Sequence, residues 1–190
     1  MKQTLKLLAP YIAVGVFWCG FSNAWLAILA YHGQILFWSR RSLSDMRWPD
    51  RKRIMLLALP AVLAGPLFYF ILPYIAREDL SVWLADHHLS RLSLLAMIPY
   101  FGIIHPFLEQ LHWAELRKHI QVSHPVFAGY HIVVLYSLLN IPGLILCFVV
   151  FTTVSSIWYR MTKRTDSLAA PLVSHILADL GLILAAWLKV

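Results

Sequence analysis

Apolar residues fall into six blocks along the chain, at 8–31, 54–76, 92–116, 125–139, 144–159 and 167–188, separated by short polar stretches. Blocks of this length and apolarity read as membrane-crossing helices. Pro10 sits in the first turn of block one, where proline is tolerated. Block two is interrupted by Pro60, Pro66 and Pro73, and Ser123 is placed to cap block four. "NIPG" at 140–143 reads as a tight turn before block five. The expected architecture is an all-α, polytopic transmembrane bundle of about six spans, forming one integral-membrane domain over residues 1–190.

Composition strengthens this reading. The chain is 60% hydrophobic and 13% charged, with a mean hydropathy of +0.69. A soluble domain carries about 25% charged residues. Cys19 and Cys147 each stand alone in an apolar block, which fits helix packing rather than redox chemistry. The N-terminus begins like a signal peptide, with "SNA" at 22–24 as a cleavage-like site, but apolarity runs on to Ala30. A retained helix is the better expectation.

The net charge of +7 does not point to nucleic acid, because the cations sit in short loops and form no soluble basic face. With six spans, the loops at 38–53, 117–121 and 160–166 share one face. They hold six, two and three basic residues, eleven of the sixteen. The basic face is expected to be cytoplasmic. Both termini then fall on the far side, together with Lys2 and Lys6. A re-entrant hairpin over 8–37 would instead return the N-terminus to the basic face.

Ionisable residues inside spans are rare and face a bundle interior or a water-filled cavity. Here they are His105, Glu109 and His112 in block three, His131 in block four, and His175 and Asp179 in block six. Glu109, His131 and His175 each lie about seven or eight residues from the basic end of their block. At a rise of 1.5 Å per residue, that is roughly 10–12 Å below one face. Three helices thus bring a carboxylate and two imidazoles to one level. His175 and Asp179 stand at i, i+4 and share a helix face, as do His105 and Glu109. Simple cross-linking of helices is the plainer alternative, at about 0.6 kcal/mol per hydrogen bond. His87, His88, His119 and His124 lie in loop or interfacial positions and read as solvated.

Three short motifs over residues 92–188 resemble those of the CPBP intramembrane proteases, the CAAX-processing and bacteriocin-processing group. That family carries EExxxR, FxxxH and HxxxN or HxxxD in order on separate helices. This chain has "EQLHWA" at 109–114, "FAGYH" at 127–131 and "HILAD" at 175–179. The last two match fully. In the first, Gln110 stands where the family has its second glutamate, and Ala114 where it has arginine; Arg117 lies about one turn further on.

The resemblance implies an intramembrane endopeptidase acting on a membrane-associated protein or peptide. Peptide hydrolysis needs an activated water, an oxyanion stabiliser and a proton for the leaving amine. Glu109 is the expected general base and His131 the residue that positions the water. His175 and Asp179 would stabilise the oxyanion or orient the carbonyl. Gln110, His105 and His112 are secondary candidates. Zinc or another divalent metal could be held by His131 and His175 with Glu109 or Asp179, and the same residues could act without metal. The expected setting is a multi-pass protein of the plasma (inner) membrane, with its site nearer the cytoplasmic face. Two alternatives stay open. One is a non-catalytic CPBP-like scaffold or immunity protein, and the other a haem protein with His131 and His175 as axial ligands.

Overall fold

In the computed structural model the described residues are 2–38 and 47–190. Ten α-helices build one bundle: α1 (Lys2–Ala13), α2 (Ala24–Trp38), α3 (Arg51–Ala58), α4 (Ala64–Ile75), α5 (Leu80–Asp86), α6 (Arg91–Pro99), α7 (His105–His119), α8 (Ser123–Leu135), α9 (Ile141–Thr165) and α10 (Ala169–Lys189). A tighter turn at Leu59–Leu63, around Pro60, joins α3 to α4. A wider-wound segment at Tyr100–Ile104 joins α6 to α7. Among the described residues, four rods are therefore long and apolar enough to cross a membrane: Arg51–Ile75, Arg91–His119, Ile141–Thr165 and Ala169–Lys189. The protein is an all-α membrane bundle.

The first apolar block is not one span. Its helix widens over Val14–Gly20 and breaks at Ser22, whose φ is 47°. The Asn23 side chain then accepts the Leu26 N–H and starts α2. Lys6 and Tyr31, on opposite arms, both reach the level of Trp113. The His112 Nε2–H donates to the Lys6 carbonyl at 3.1 Å, and the Trp113 indole donates to the Tyr31 hydroxyl at 2.8 Å. The two arms thus form a hairpin, and its N-terminal arm runs toward the basic end of the bundle. At the tip, Trp18 stacks on His87 with ring centroids 4.0 Å apart, and Ala24 N–H donates to the His87 carbonyl. The hairpin therefore replaces the single outward-to-inward span expected over 8–31. Arg40 and Arg41, counted on the basic face, lie outside the described residues.

Two smaller expectations also change. "NIPG" is the first turn of α9, where Asn140 caps the helix by accepting the Gly143 N–H at 2.9 Å. Ser123 lies at the start of α8 without a capping bond.

Helix α10 is the centre of the bundle, packed against the rods of α3–α4, α6–α7 and α9. Its closest approach is to α4. A Cβ on Gly65 would lie 2.6 Å from the Gly181 carbonyl oxygen, and one on Gly181 would lie 3.0 Å from the Gly65 nitrogen. Without a hydrophobic drive between helices in lipid, such backbone contact is what holds rods together. Gly65→Val is expected to lower stability by about 1–3 kcal/mol through overpacking. The readout is the unfolding midpoint in mixed micelles, and an unchanged midpoint would contradict this contact.

Candidate active site

Glu109 is 1% exposed and sits at the meeting point of α2, α7, α8 and α10. Its Oε1 accepts two hydroxyl hydrogen bonds, from Tyr31 on α2 and Tyr130 on α8. A bond to a charged group contributes about 1.5–3 kcal/mol. Two of them offset the roughly 2.5–3.5 kcal/mol that an ionised side chain costs at the centre of a membrane helix. The other oxygen, Oε2, accepts no hydrogen bond from the protein. It faces two imidazoles, with His105 Nε2 at 3.5 Å and His175 Nε2 at 3.6 Å.

His175 lies between both carboxylates, its Nε2 being 3.3 Å from Asp179 Oδ2. That Asp179 oxygen is likewise buried without a protein hydrogen bond. The ring tautomer follows from a chain of donors. Arg117 can only donate, and its Nη1 reaches Gln110 Oε1 at 3.2 Å. The Gln110 amide NH2 must then face His175 Nδ1, 3.2 Å away. Nδ1 therefore accepts, and the ring proton sits on Nε2, between Glu109 and Asp179. This gives Gln110 a role that a glutamate could not fill without reversing the tautomer. Gln110→Glu is expected to move the His175 proton from Nε2 to Nδ1. Exchange of the two ring 15N shifts in histidine-labelled protein would report it, and unchanged shifts would refute the assignment.

His131 is part-buried on α8 between the rings of Phe127 and Phe151, centroids 4.7 and 4.4 Å away. Its Nδ1–H donates to the Phe127 carbonyl at 2.8 Å. Nε2 is left as an acceptor, 3.0 Å from the Tyr130 oxygen. Tyr130 gives its one hydroxyl proton to Glu109, so the Nε2 lone pair receives no hydrogen from it. Among the described residues, no group of three or more His, Cys, Asp or Glu side chains is arranged to hold an ion. The expected set of His131, His175 and a carboxylate is not among such groups.

The four residues expected to act together, Glu109, His131, His175 and Asp179, are gathered in one cluster, and His105 joins them. His112 does not: it points past Trp113 to α1. His87 is not solvated, being 8% exposed and hydrogen-bonded to the Trp83 carbonyl at 2.7 Å. His124 meets Ser155 Oγ at 3.0 Å.

Sequence reasoning missed Tyr31, His32, Tyr100 and Tyr130. Tyr130 precedes His131 inside "FAGYH", where an aromatic hydroxyl deep in a span was the available signal. His32 links His105 to Tyr100. His105 Nδ1 lies 2.9 Å from His32 Nε2, and His32 Nδ1 lies 2.8 Å from the Tyr100 hydroxyl. His105 stands five positions after Tyr100, a spacing that an ordinary α-helix would point apart. The wider winding between them, marked by His105 N–H donating to the Tyr100 carbonyl, turns both toward His32. Tyr100→His32→His105 is one consistent donor direction, and it ends with the His105 Nε2–H aimed at Glu109.

Fold and site together define an all-α membrane bundle with a buried carboxylate–imidazole cluster. Comparison with protein-family models, with curated proteins and with solved structures finds no match.

Proposed function

We propose that this protein is an intramembrane endopeptidase of the CPBP type, hydrolysing a peptide bond in a membrane-associated protein or peptide. The observation that carries the reading is the unpaired Glu109 Oε2 facing two imidazole nitrogens at 3.5 and 3.6 Å. Those separations are long for direct hydrogen bonds, which leaves Oε2 free to activate a water that enters with the substrate. Such a water gives its proton to Glu109 Oε2 as its oxygen attacks the scissile carbonyl carbon. The His175 Nε2–H, held by Gln110, supports the developing oxyanion. The C–N bond then breaks, Glu109 returns the proton to the leaving amine, and the products are a carboxylic acid and an amine. Asp179 orients His175, and Tyr130, next to His131, holds the other side of Glu109. The motif order on α7, α8 and α10 supports the same roles.

The setting that goes with this reading is the plasma (inner) membrane, the basic end being cytoplasmic. Lys2 and Lys6 then lie toward that end as well, which removes the conflict the single first span created. The test is cleavage of bilayer-embedded peptides by protein reconstituted in vesicles, with products read by mass spectrometry. Wild type is expected to cut, and Glu109→Gln, His131→Ala and His175→Ala to lose most of that rate. Equal rates in all three variants would end the protease reading.

A non-catalytic scaffold is the second reading. It is favoured by closure, since Glu109, Gln110 and His175 are each 3% exposed or less. On that reading wild type cuts no peptide and the three variants change only stability.

A further inference from the structure

A second site lies at the basic end of the bundle, beyond the cluster. There the ends of α7 and α9 and the start of α10 enclose a cavity of about 410 Å3. This is the size range of small-molecule sites. Among the described residues, four cations line it, Arg47, Arg117, Lys118 and Lys163, against one carboxylate, Asp166.

Arg117 is the decisive group. It is 5% exposed and faces the cavity, yet it pairs with no carboxylate among the described residues. Its hydrogen bonds go to neutral acceptors, Ser155 Oγ at 2.9 Å and Gln110 Oε1 at 3.2 Å. The Phe127 and Trp158 rings lie 5.2 and 5.6 Å from its guanidinium carbon. The Glu109 carboxylate acts on it only at longer range, and a buried cation with no carboxylate in direct contact is costly unless something supplies one. The wall opposite is built to the same sign. Ser167 and Leu168 bring the N-terminus of the 21-residue α10, the positive end of its dipole, to the cavity. The Ser167 hydroxyl donates to the Arg47 carbonyl and so ties that strand of chain across the opening.

We propose that this cavity binds the phosphate of an anionic phospholipid headgroup. Phosphate suits a forked guanidinium flanked by two lysines and a second arginine. The location selects lipid as the source. The cavity opens where the apolar rods end, with Tyr159 in its lining and the exposed Trp48 next in sequence to Arg47, which is headgroup depth in a bilayer. This site goes beyond the protease reading and does not depend on it.

The experiment uses full-length protein in neutral detergent, titrated with phosphatidylglycerol, phosphatidylcholine or inorganic phosphate. Bound lipid is counted by native mass spectrometry. Phosphatidylglycerol is expected to bind at least about tenfold tighter than phosphatidylcholine. The variant R47A/K118A/K163A is expected to weaken it about 100-fold, each cation contributing roughly fivefold. Thr162→Trp fills the cavity without changing charge and is expected to displace the lipid as well. That result separates a built site from diffuse surface attraction. Equal binding of the two lipids by wild type would overturn the proposal. So would wild-type binding in both variants, each checked for its helical content. Displacement of the lipid by millimolar inorganic phosphate would overturn the lipid source and assign the cavity to free phosphate.

Discussion

Glu109→Gln is expected to lower peptide cleavage by about 10²–10⁴-fold, the usual contribution of a positioned general base, while barely moving the unfolding midpoint. The two halves of this expectation have separate causes. Glutamine keeps an amide oxygen where Oε1 accepts from Tyr31 and Tyr130, so the anchoring of the side chain survives. Those bonds weaken by roughly half when the acceptor loses its charge. Against that, the variant no longer carries the cost of an ionised group in the bundle, about 2.5–3.5 kcal/mol. The terms oppose each other and are of similar size. Chemistry has no such compensation. At the second oxygen the variant sets an NH2 donor against the His105 and His175 N–H groups, and nothing remains to take a proton from water. Single-turnover cleavage in vesicles, run beside denaturation in the same lipid, measures both. A rate within about threefold of wild type would remove Glu109 from the chemistry. A large fall in midpoint would instead mark it as a structural strut.

Much of the bundle could be read from apolar block length, because a membrane helix must be long and continuous. Depth could be read as well. A fixed rise per residue placed Glu109, His131 and His175 at one level before any contact was known. The hairpin was harder to see. Hydropathy runs unbroken through Gly20, Phe21 and Ser22, and the turn rests on one positive φ at Ser22 and one capping side chain at Asn23. Neither changes the apolar count. Tyr31 and His32 were hidden for the same reason. They stand at the end of the expected first span, whereas the fold-back brings them against Glu109 and His105. Gln110 looked like a loss against the family pattern, where a glutamate and an arginine stand four residues apart. Here Arg117 reaches it from seven residues on, two turns along the same face of α7. The spacing differs from the motif, so motif matching passes over it.

Trp113→Ala is expected to destabilise the bundle by about 3 kcal/mol and to abolish most activity with it. Trp113 is 0% exposed and stands behind both hydroxyls that anchor Glu109. Its indole N–H donates to the Tyr31 hydroxyl, and its ring stacks on Tyr130 at 6.0 Å and 11°. Phe127 closes the cluster edge-on at 5.3 Å. Truncating a buried tryptophan costs about 3–5 kcal/mol in soluble proteins. The lower end applies here. In a bilayer the unfolded reference is lipid rather than water, so the loss comes from packing and not from transfer. Trp113→Phe separates the two roles. It retains an aromatic wall and most of the stability but leaves the Tyr31 hydroxyl without its donor. If anchoring of Glu109 matters for the chemistry, Trp113→Phe slows turnover with little change in apparent substrate affinity and a small change in midpoint. If Trp113 serves packing alone, rate and midpoint fall in proportion across Phe and Ala, and Tyr31 has no part in setting the rate.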